Sequence, residues 1–183
     1  MIMAKLKIGD KMPNFTFNTA YEEGKTINEV LNHKPTFFWV LRYIGCTVCR
    51  YDVHLLSQRY QEFVDKGAQV FVVMQSAPET VREDLKETKL PFEIICDADL
   101  TIYRALEINP AASMEELGGS VMPQLQEKGM AATAAGFKHG KYEGIEEQLP
   151  AMFLVNSEGV VQYAHYAKNI MDMPKIDDML GML

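Results

Sequence analysis

No run of apolar residues in this 183-residue chain approaches the length that spans a bilayer. The opening stretch Met1–Ile8 lacks the long apolar core of a secretory signal. Basic charge is in short supply too, with 18 Lys and Arg against 25 Asp and Glu and a formal net charge of −7. Without a Lys/Arg block anywhere, that balance disfavours nucleic acid or an acidic membrane surface as a partner. Three cysteines are too few for a disulfide scaffold. The histidines (His33, His54, His139, His165) are scattered without ligand spacing, so a four-ligand zinc site lacks its second pair. There is no internal repeat and no low-complexity tract. These absences leave a reducing, cytoplasmic setting as the expectation. The composition, 48% hydrophobic and 23% charged, is that of an ordinary soluble chain, and residues 1–183 suit one domain that buries a core without staples.

What the chain does have is Cys46-Thr47-Val48-Cys49 at a junction of two patterns. The aromatic and β-branched run Pro35–Leu41 before it reads as a buried strand. After it, Val53, Leu56, Tyr60, Phe63 and Val64 recur at three- and four-residue steps, the stripe of a helix packed on a core. A strand turning into a helix through C-x-x-C puts two thiols at a helix N-terminus. There the unpaired N–H groups and the positive end of the dipole favour thiolate over thiol. Residues three apart share a helix face, which brings the sulfurs within disulfide reach.

The other elements follow in order. Asn14–Asn18 alternates like a short edge strand, Glu22–Lys25 reads as a turn, Thr26–Ile27 as a brief return strand, and Asn28 as the cap of a short helix to Leu31. Lys66-Gly67 stops the cysteine helix, and Gln69–Met74 is apolar enough for a strand covered on both faces. A helix is expected from Pro78 to about Thr88, a strand over Phe92–Cys96, and a helix from Asp97 to about Glu107. This β-α-β-α-β alternation implies parallel strands. The stretch 110–148 breaks the pattern and reads as an insertion with one helix over about 120–132. Ala151–Asn156 and Val160–Tyr166 then form an antiparallel hairpin, and Ile176, Met179, Leu180 and Leu183 stripe a final helix.

The order strand, C-x-x-C, helix, strand, helix, Pro-led hairpin, last helix resembles an α/β thioredoxin-like fold. The central mixed sheet is flanked by helices, with extra N-terminal strands and an insertion before the last hairpin. Ile8–Phe15 resembles the v-G-d-x-x-P-d-F opening of the peroxiredoxin-like branch of the alkyl hydroperoxide reductase and thiol-specific antioxidant family. Val70–Pro78, Leu90–Asp97 and Gln148–Val155 with Gly159 resemble further elements of that family, in the family's order. Its members read P-x-x-x-T-x-x-C around the peroxide-attacking cysteine. Aligning that cysteine with Cys49 puts Cys46 at the threonine and Arg42 at the proline. The family's peroxide-activating arginine has no match where Gln148, Leu149 and Pro150 stand.

The resemblance implies a thiol-dependent oxidoreductase that reduces a peroxide or a protein disulfide through a Cys46/Cys49 couple. Re-reduction would come from a thioredoxin- or glutathione-type donor, and a homodimer is compatible with the family. No cofactor and no metal is called for. Two orders of reaction stay open. In a thioredoxin-like reading Cys46 is the more exposed thiol and attacks, with Cys49 resolving; in a peroxiredoxin-like reading Cys49 attacks and Cys46 closes the disulfide. The resemblance also implies a cis Pro150 beside the thiols, and Arg42 is the candidate for steering an anionic or peroxide substrate. Arg50 and His54 read as surface or packed side chains and Cys96 as an inert core thiol. The alternative from another class is a redox-inert thioredoxin-fold module that binds a partner through the Pro110–Gln148 insertion and the Met-rich tail.

Overall fold

A computed structural model describes residues 4–86 and 88–183; the first three residues of the opening stretch and Glu87 lie outside the described residues. At its centre is β3 (Thr36–Val40), with no residue exposed. β4 (Gln69–Met74) runs parallel to it on one side and β6 (Ala151–Val155) antiparallel on the other, so that Trp39 stands between Val72 and Met152. β5 (Ile94–Cys96) adds in parallel to β4; β1 (Thr16–Thr19) and β2 (Lys25–Thr26) follow antiparallel, and β7 (Val161–Tyr166) closes the far edge beside β6. The sheet order is β2-β1-β5-β4-β3-β6-β7, the mixed, helix-flanked sheet expected from the sequence.

The period of two along β3 divides the interior. Phe37 and Trp39 enter one core with Val53, Leu56 and Phe63 of α2 (Thr47–Asp65) and Met179 and Leu180 of α7 (Ile176–Gly181). Phe38 and Val40 enter the other, with Ile27 and Leu31 of α1 (Ile27–Leu31) and Ile102 and Tyr103 of α4 (Thr101–Ala105). A strand covered on both faces has no room for alternation with polar residues, hence its unbroken aromatic and aliphatic run.

Several boundaries move for local reasons. The return strand ends at Thr26, and Ile27 already belongs to α1. Thr26 rather than Asn28 caps that helix, its N–H donating to the Glu29 carboxylate at 2.8 Å; the Asn28 N–H instead donates to the Asn14 side chain. α3 (Pro78–Leu85) ends before Lys86, which takes φ 51°. The helix read as starting at Asp97 starts at Thr101, because Leu100 turns left-handed at φ 62°. The Asp97 carboxylate reaches forward to accept from the N–H groups of Ile102 and Tyr103. β5 begins at Ile94, two residues later than expected, although Phe92 is buried in the core beside Tyr60.

The stretch 110–148 holds α5 (Met114–Gly118), a 3-10 turn at Gly119–Val121 and α6 (Met122–Ala134), which packs against α2. Its two ends meet where Pro110 bridges Gln148 and the Ala111 N–H donates to the Glu147 carbonyl at 2.9 Å. The insertion therefore leaves and re-enters beside the start of β6. No helix among the described residues is long and apolar enough to cross a membrane.

Candidate active site

The turn that follows β3 is fastened from the neighbouring strand and helices. The Tyr103 hydroxyl donates to the Leu41 carbonyl at 2.6 Å, the Gln75 N–H to the Arg42 carbonyl at 2.8 Å, and the Ile44 N–H to Ser76 Oγ at 2.9 Å. This delivers Cys46 as the N-cap of α2, a position where a side-chain acceptor satisfies an orphan N–H of the first turn. Its sulfur accepts from the Cys49 N–H at 3.4 Å and the Cys49 thiol at 2.6 Å, and Arg42 Nη2 donates to it at 3.1 Å. Three donors and the N-terminus of a 19-residue helix converge on one sulfur.

Charge follows from that geometry. The hydrogen bond from Cys49 is the largest influence on Cys46. It acts with Arg42 against burial to bring the Cys46 pKa down to about 6. Burial and the hydrogen bond to Cys46 push the Cys49 thiol well up. One proton is thus held on Cys49 and one negative charge on Cys46 at neutral pH. Burial works against the Arg42 charge, yet the two sulfurs facing it outweigh that and raise its pKa.

Over Cys46 lies the end of the insertion, residues 138–148, as a strap. Gly140 N–H donates to the Gly45 carbonyl at 2.8 Å, and a Cβ on Gly45 would stand 2.8 Å from the Lys141 nitrogen, so only glycine permits this approach. Arg50 holds the Lys138 carbonyl and the Asp84 carboxylate. Ile145 and the Gln75 side chain exchange two hydrogen bonds of 3.0 Å. Arg42 Nη1 donates to the Glu146 carbonyl at 2.6 Å; Tyr43 donates its hydroxyl to the Glu146 carboxylate and lies 3.1 Å from His139 Nε2. Burial and the Glu146 carboxylate raise the Tyr43 pKa, which keeps the hydroxyl protonated as a donor.

The other side of the dithiol borders a cavity of about 770 Å³ between α2, α6 and the 170–177 segment, with Trp39, Arg42, Cys49 and Pro150 among its lining residues. Cys49 lines it and Cys46 does not.

The AhpC/TSA family matches residues 8–164, most of the chain. The chain belongs to the AhpC/TSA family. It is a thiol-dependent oxidoreductase of the peroxiredoxin kind. Among solved structures, it is similar to peroxiredoxin 6 of Arenicola marina, in a mutant form, at 11% identity with a TM-score of 0.72. That match covers 96% of this chain and 70% of the other. A yeast mitochondrial 1-Cys peroxiredoxin gives 12% identity and 0.66 over 96% and 73% of the two chains. A thiol peroxidase from Chromobacterium violaceum gives 16% and 0.61 over 99% and 88%. At these identities the likeness is one of fold. No curated protein matches the chain by sequence.

Of the residues singled out in the sequence, Cys46, Cys49 and Arg42 meet at one point, and Pro150 faces the cavity with Cys49. Two expectations are corrected. The family's cis proline is absent: no peptide bond among the described residues is cis, and Leu149–Pro150 is trans, the preferred isomer of an X-Pro bond. Neither thiol is the exposed one: Cys46 is 1% and Cys49 3% exposed, with the strap over the first and the wall of the cavity around the second. Arg50 is spent on Asp84 and the strap, and His54 packs between Tyr51 and Phe137. Cys96 is buried at the end of β5, where burial pushes its thiol up to about 12. Tyr43, Glu146 and His139 were not foreseen. Tyr43 sits in an apolar run, and Glu146 reaches Arg42 across 104 residues of sequence. No local spacing joins them.

Proposed function

We propose that this protein reduces small peroxides with Cys46 as the attacking thiolate and Cys49 as the resolving thiol. The observation that carries the reading is the contact of Arg42 Nη2 and the Cys49 thiol with one sulfur, that of Cys46. Arg42 stands in for the family's peroxide-activating arginine: it holds the thiolate, and its charge favours the oxygen that leaves. The Cys46 thiolate takes the nearer peroxide oxygen and becomes a sulfenic acid, while the other oxygen leaves as hydroxide and takes a proton from solvent to give water. Cys49 Sγ, 2.6 Å away, then attacks the sulfenic sulfur; the disulfide forms and a second water leaves. Burial of both sulfurs favours a two-oxygen substrate over a protein disulfide, which needs an accessible thiol. The yeast relative is named for resolution by glutathione and thioredoxin systems, and donors of that type in a cytoplasmic setting are the reading here. One sheet with a core on each face supports treating residues 1–183 as one domain.

The test is a thiol count before and after hydrogen peroxide. Two of the three thiols should be lost, leaving Cys96, and a reductant should restore them. Cys46→Ser should consume no peroxide; Cys49→Ser should consume one equivalent and hold Cys46 as a sulfenic acid. The reverse pattern makes Cys49 the attacking residue. A chain that keeps all three thiols is the redox-inert binding module.

A further inference from the structure

The peroxide step set out above makes no use of the cavity beside Cys49, which differs from the Cys46 side in access and wall chemistry. Its walls are largely apolar, with Val48 and Leu55 of α2 facing Ile170, Met171, Met173 and Ile176. Its charged groups pair among themselves: Lys128 with Asp52 at 2.6 Å, and Arg59 with Asp177 at 2.8 Å. Glu127 and Lys175 add one charge of each sign. A space of about 770 Å³ is the size that takes a small molecule. Trp39 and Arg42, both more than nine-tenths buried and both lining the cavity, each carry an N–H without a partner, Trp39 Nε1 and Arg42 Nε. Each of these nitrogens has less than 1 Å² of accessible surface, so they stand behind the cavity wall and a ligand meets the Trp39 ring and the rest of the Arg42 side chain instead.

We propose that this cavity admits a small, uncharged thiol with an apolar body, which re-reduces the Cys46–Cys49 disulfide by attacking Cys49. The proposal rests on the dithiol reading above and departs from it in the donor, putting a small apolar thiol in place of a thioredoxin- or glutathione-type one. The thiol gives its proton to solvent, its sulfur bonds to Cys49 Sγ, the Cys46–Cys49 bond breaks, and its electron pair leaves on Cys46 as the thiolate that Arg42 holds. A second molecule of the thiol attacks the ligand sulfur of the mixed disulfide, gives a symmetrical disulfide and returns a proton to Cys49. Two thiols are oxidised and one disulfide is reduced. Attack at Cys49 makes Cys46 the leaving group, and Arg42 Nη2, 3.1 Å from the Cys46 sulfur, stabilises the charge that it takes. Geometry selects the same sulfur, since Cys46 is under the strap and only Cys49 meets the cavity. A protein donor presenting a surface thiol does not reach a sulfur 3% exposed at the end of an apolar cavity. An anionic thiol such as glutathione finds Lys128 and Arg59 already paired with carboxylates of the wall.

Two measurements on the full chain test this. The first titrates the protein with butyl methyl sulfide, an unreactive probe, and follows the fluorescence of Trp39, the one tryptophan of the sequence. A saturable change is expected, lost in Ala131→Phe, which fills the cavity from α6. The second makes the disulfide with peroxide or diamide and follows its reduction by ethanethiol, propanethiol, butanethiol and glutathione, with rates corrected for thiolate concentration. Each added methylene should raise the rate by up to about fourfold, about tenfold from ethanethiol to butanethiol, with glutathione slowest. The dependence should flatten in Ala131→Phe. A disulfide reduced at rates independent of chain length, or a Trp39 signal that does not saturate, overturns the proposal alone. A protein that forms no disulfide overturns the dithiol reading and the proposal together. Oxidation by alkyl hydroperoxides that quickens with chain length, while reduction by thiols does not, assigns the cavity to the oxidant and overturns the proposal.

Discussion

Replacing Arg42 by leucine removes the one cation among the described residues that touches Cys46. An opposite charge within hydrogen-bond distance lowers a pKa by about 1–3 units. Here the Cys49 hydrogen bond is the larger influence and stays in place. The Cys46 midpoint should therefore rise from about 6 to about 7.5. At pH 6 the thiolate fraction then falls from about one half to about 3%, roughly sixteenfold. The thiolate that remains is more basic, and a Brønsted slope of about 0.45 makes it about fivefold more nucleophilic. The two effects leave alkylation about threefold slower at pH 6 and about fivefold faster at pH 9, so the two profiles cross. Rate at pH 7 alone is a poor readout; the midpoint is the readout. Ultraviolet thiolate absorbance reports it without requiring reagent to pass the strap, and iodoacetamide kinetics report the crossing. Linkage gives an independent sign. Cys46 is held below the unfolded thiol value of about 8.5, so its ionisation adds stability above that value and the contribution is lost as pH falls through about 6. In the variant that window narrows from the acid side. Arg42→Lys keeps a charge but not the planar fork that serves Cys46 and Glu146 together, and its midpoint should lie between the two. An Arg42→Leu protein that is folded, with an unmoved midpoint, would refute the pairing and with it the assignment of Cys46 as the attacking sulfur.

Asp97 titrates in the opposite sense, because burial raises its carboxyl to about 6. Its protonated form is the stabilising one, so stability should fall as pH rises from about 4 through about 6, by at most about 3 kcal/mol. Asp97→Asn keeps an acceptor for Ile102 and Tyr103 and should abolish that slope in denaturant melts; an unchanged slope would place its origin elsewhere. Gly45→Val cannot keep the strap seated. It should lose about 1–3 kcal/mol and expose Cys46 to iodoacetamide, and alkylation as slow as in the parent would show that the strap is not the barrier. Leu56→Ala, fully buried in the core of α2, should cost about 2–5 kcal/mol in chemical denaturation while leaving the Cys46 midpoint in place. A coupled shift would mean that the dithiol geometry depends on that packing.

Much of the fold was legible because its determinants are local. Unbroken apolar runs at 36–40 and 69–74, a helical stripe after Cys49 and turn residues at Gly67 and Gly159 each state an element within a few positions. Boundaries failed where a side chain or a left-handed residue overrode propensity, as Thr26 with Glu29 and Leu100 with Asp97 did. Resemblance to the family implies a cis proline, but the Leu149–Pro150 bond is trans.

The sequence by itself determined that two thiols stand three apart at a helix N-terminus, since strand period, helix period and C-x-x-C are all short-range patterns. Which thiol is the anion was decided only by tertiary structure. Arg42 has to turn back to Cys46 instead of outward to solvent, and its other nitrogen is held by a carbonyl 104 residues away. The strap over Cys46 and the apolar cavity at Cys49 come from the same long-range closure, in which the ends of the insertion are tied at Pro110 and Gln148. Charge and access at a sulfur depend on what surrounds it in space, and here those surroundings are drawn from segments that no local pattern connects.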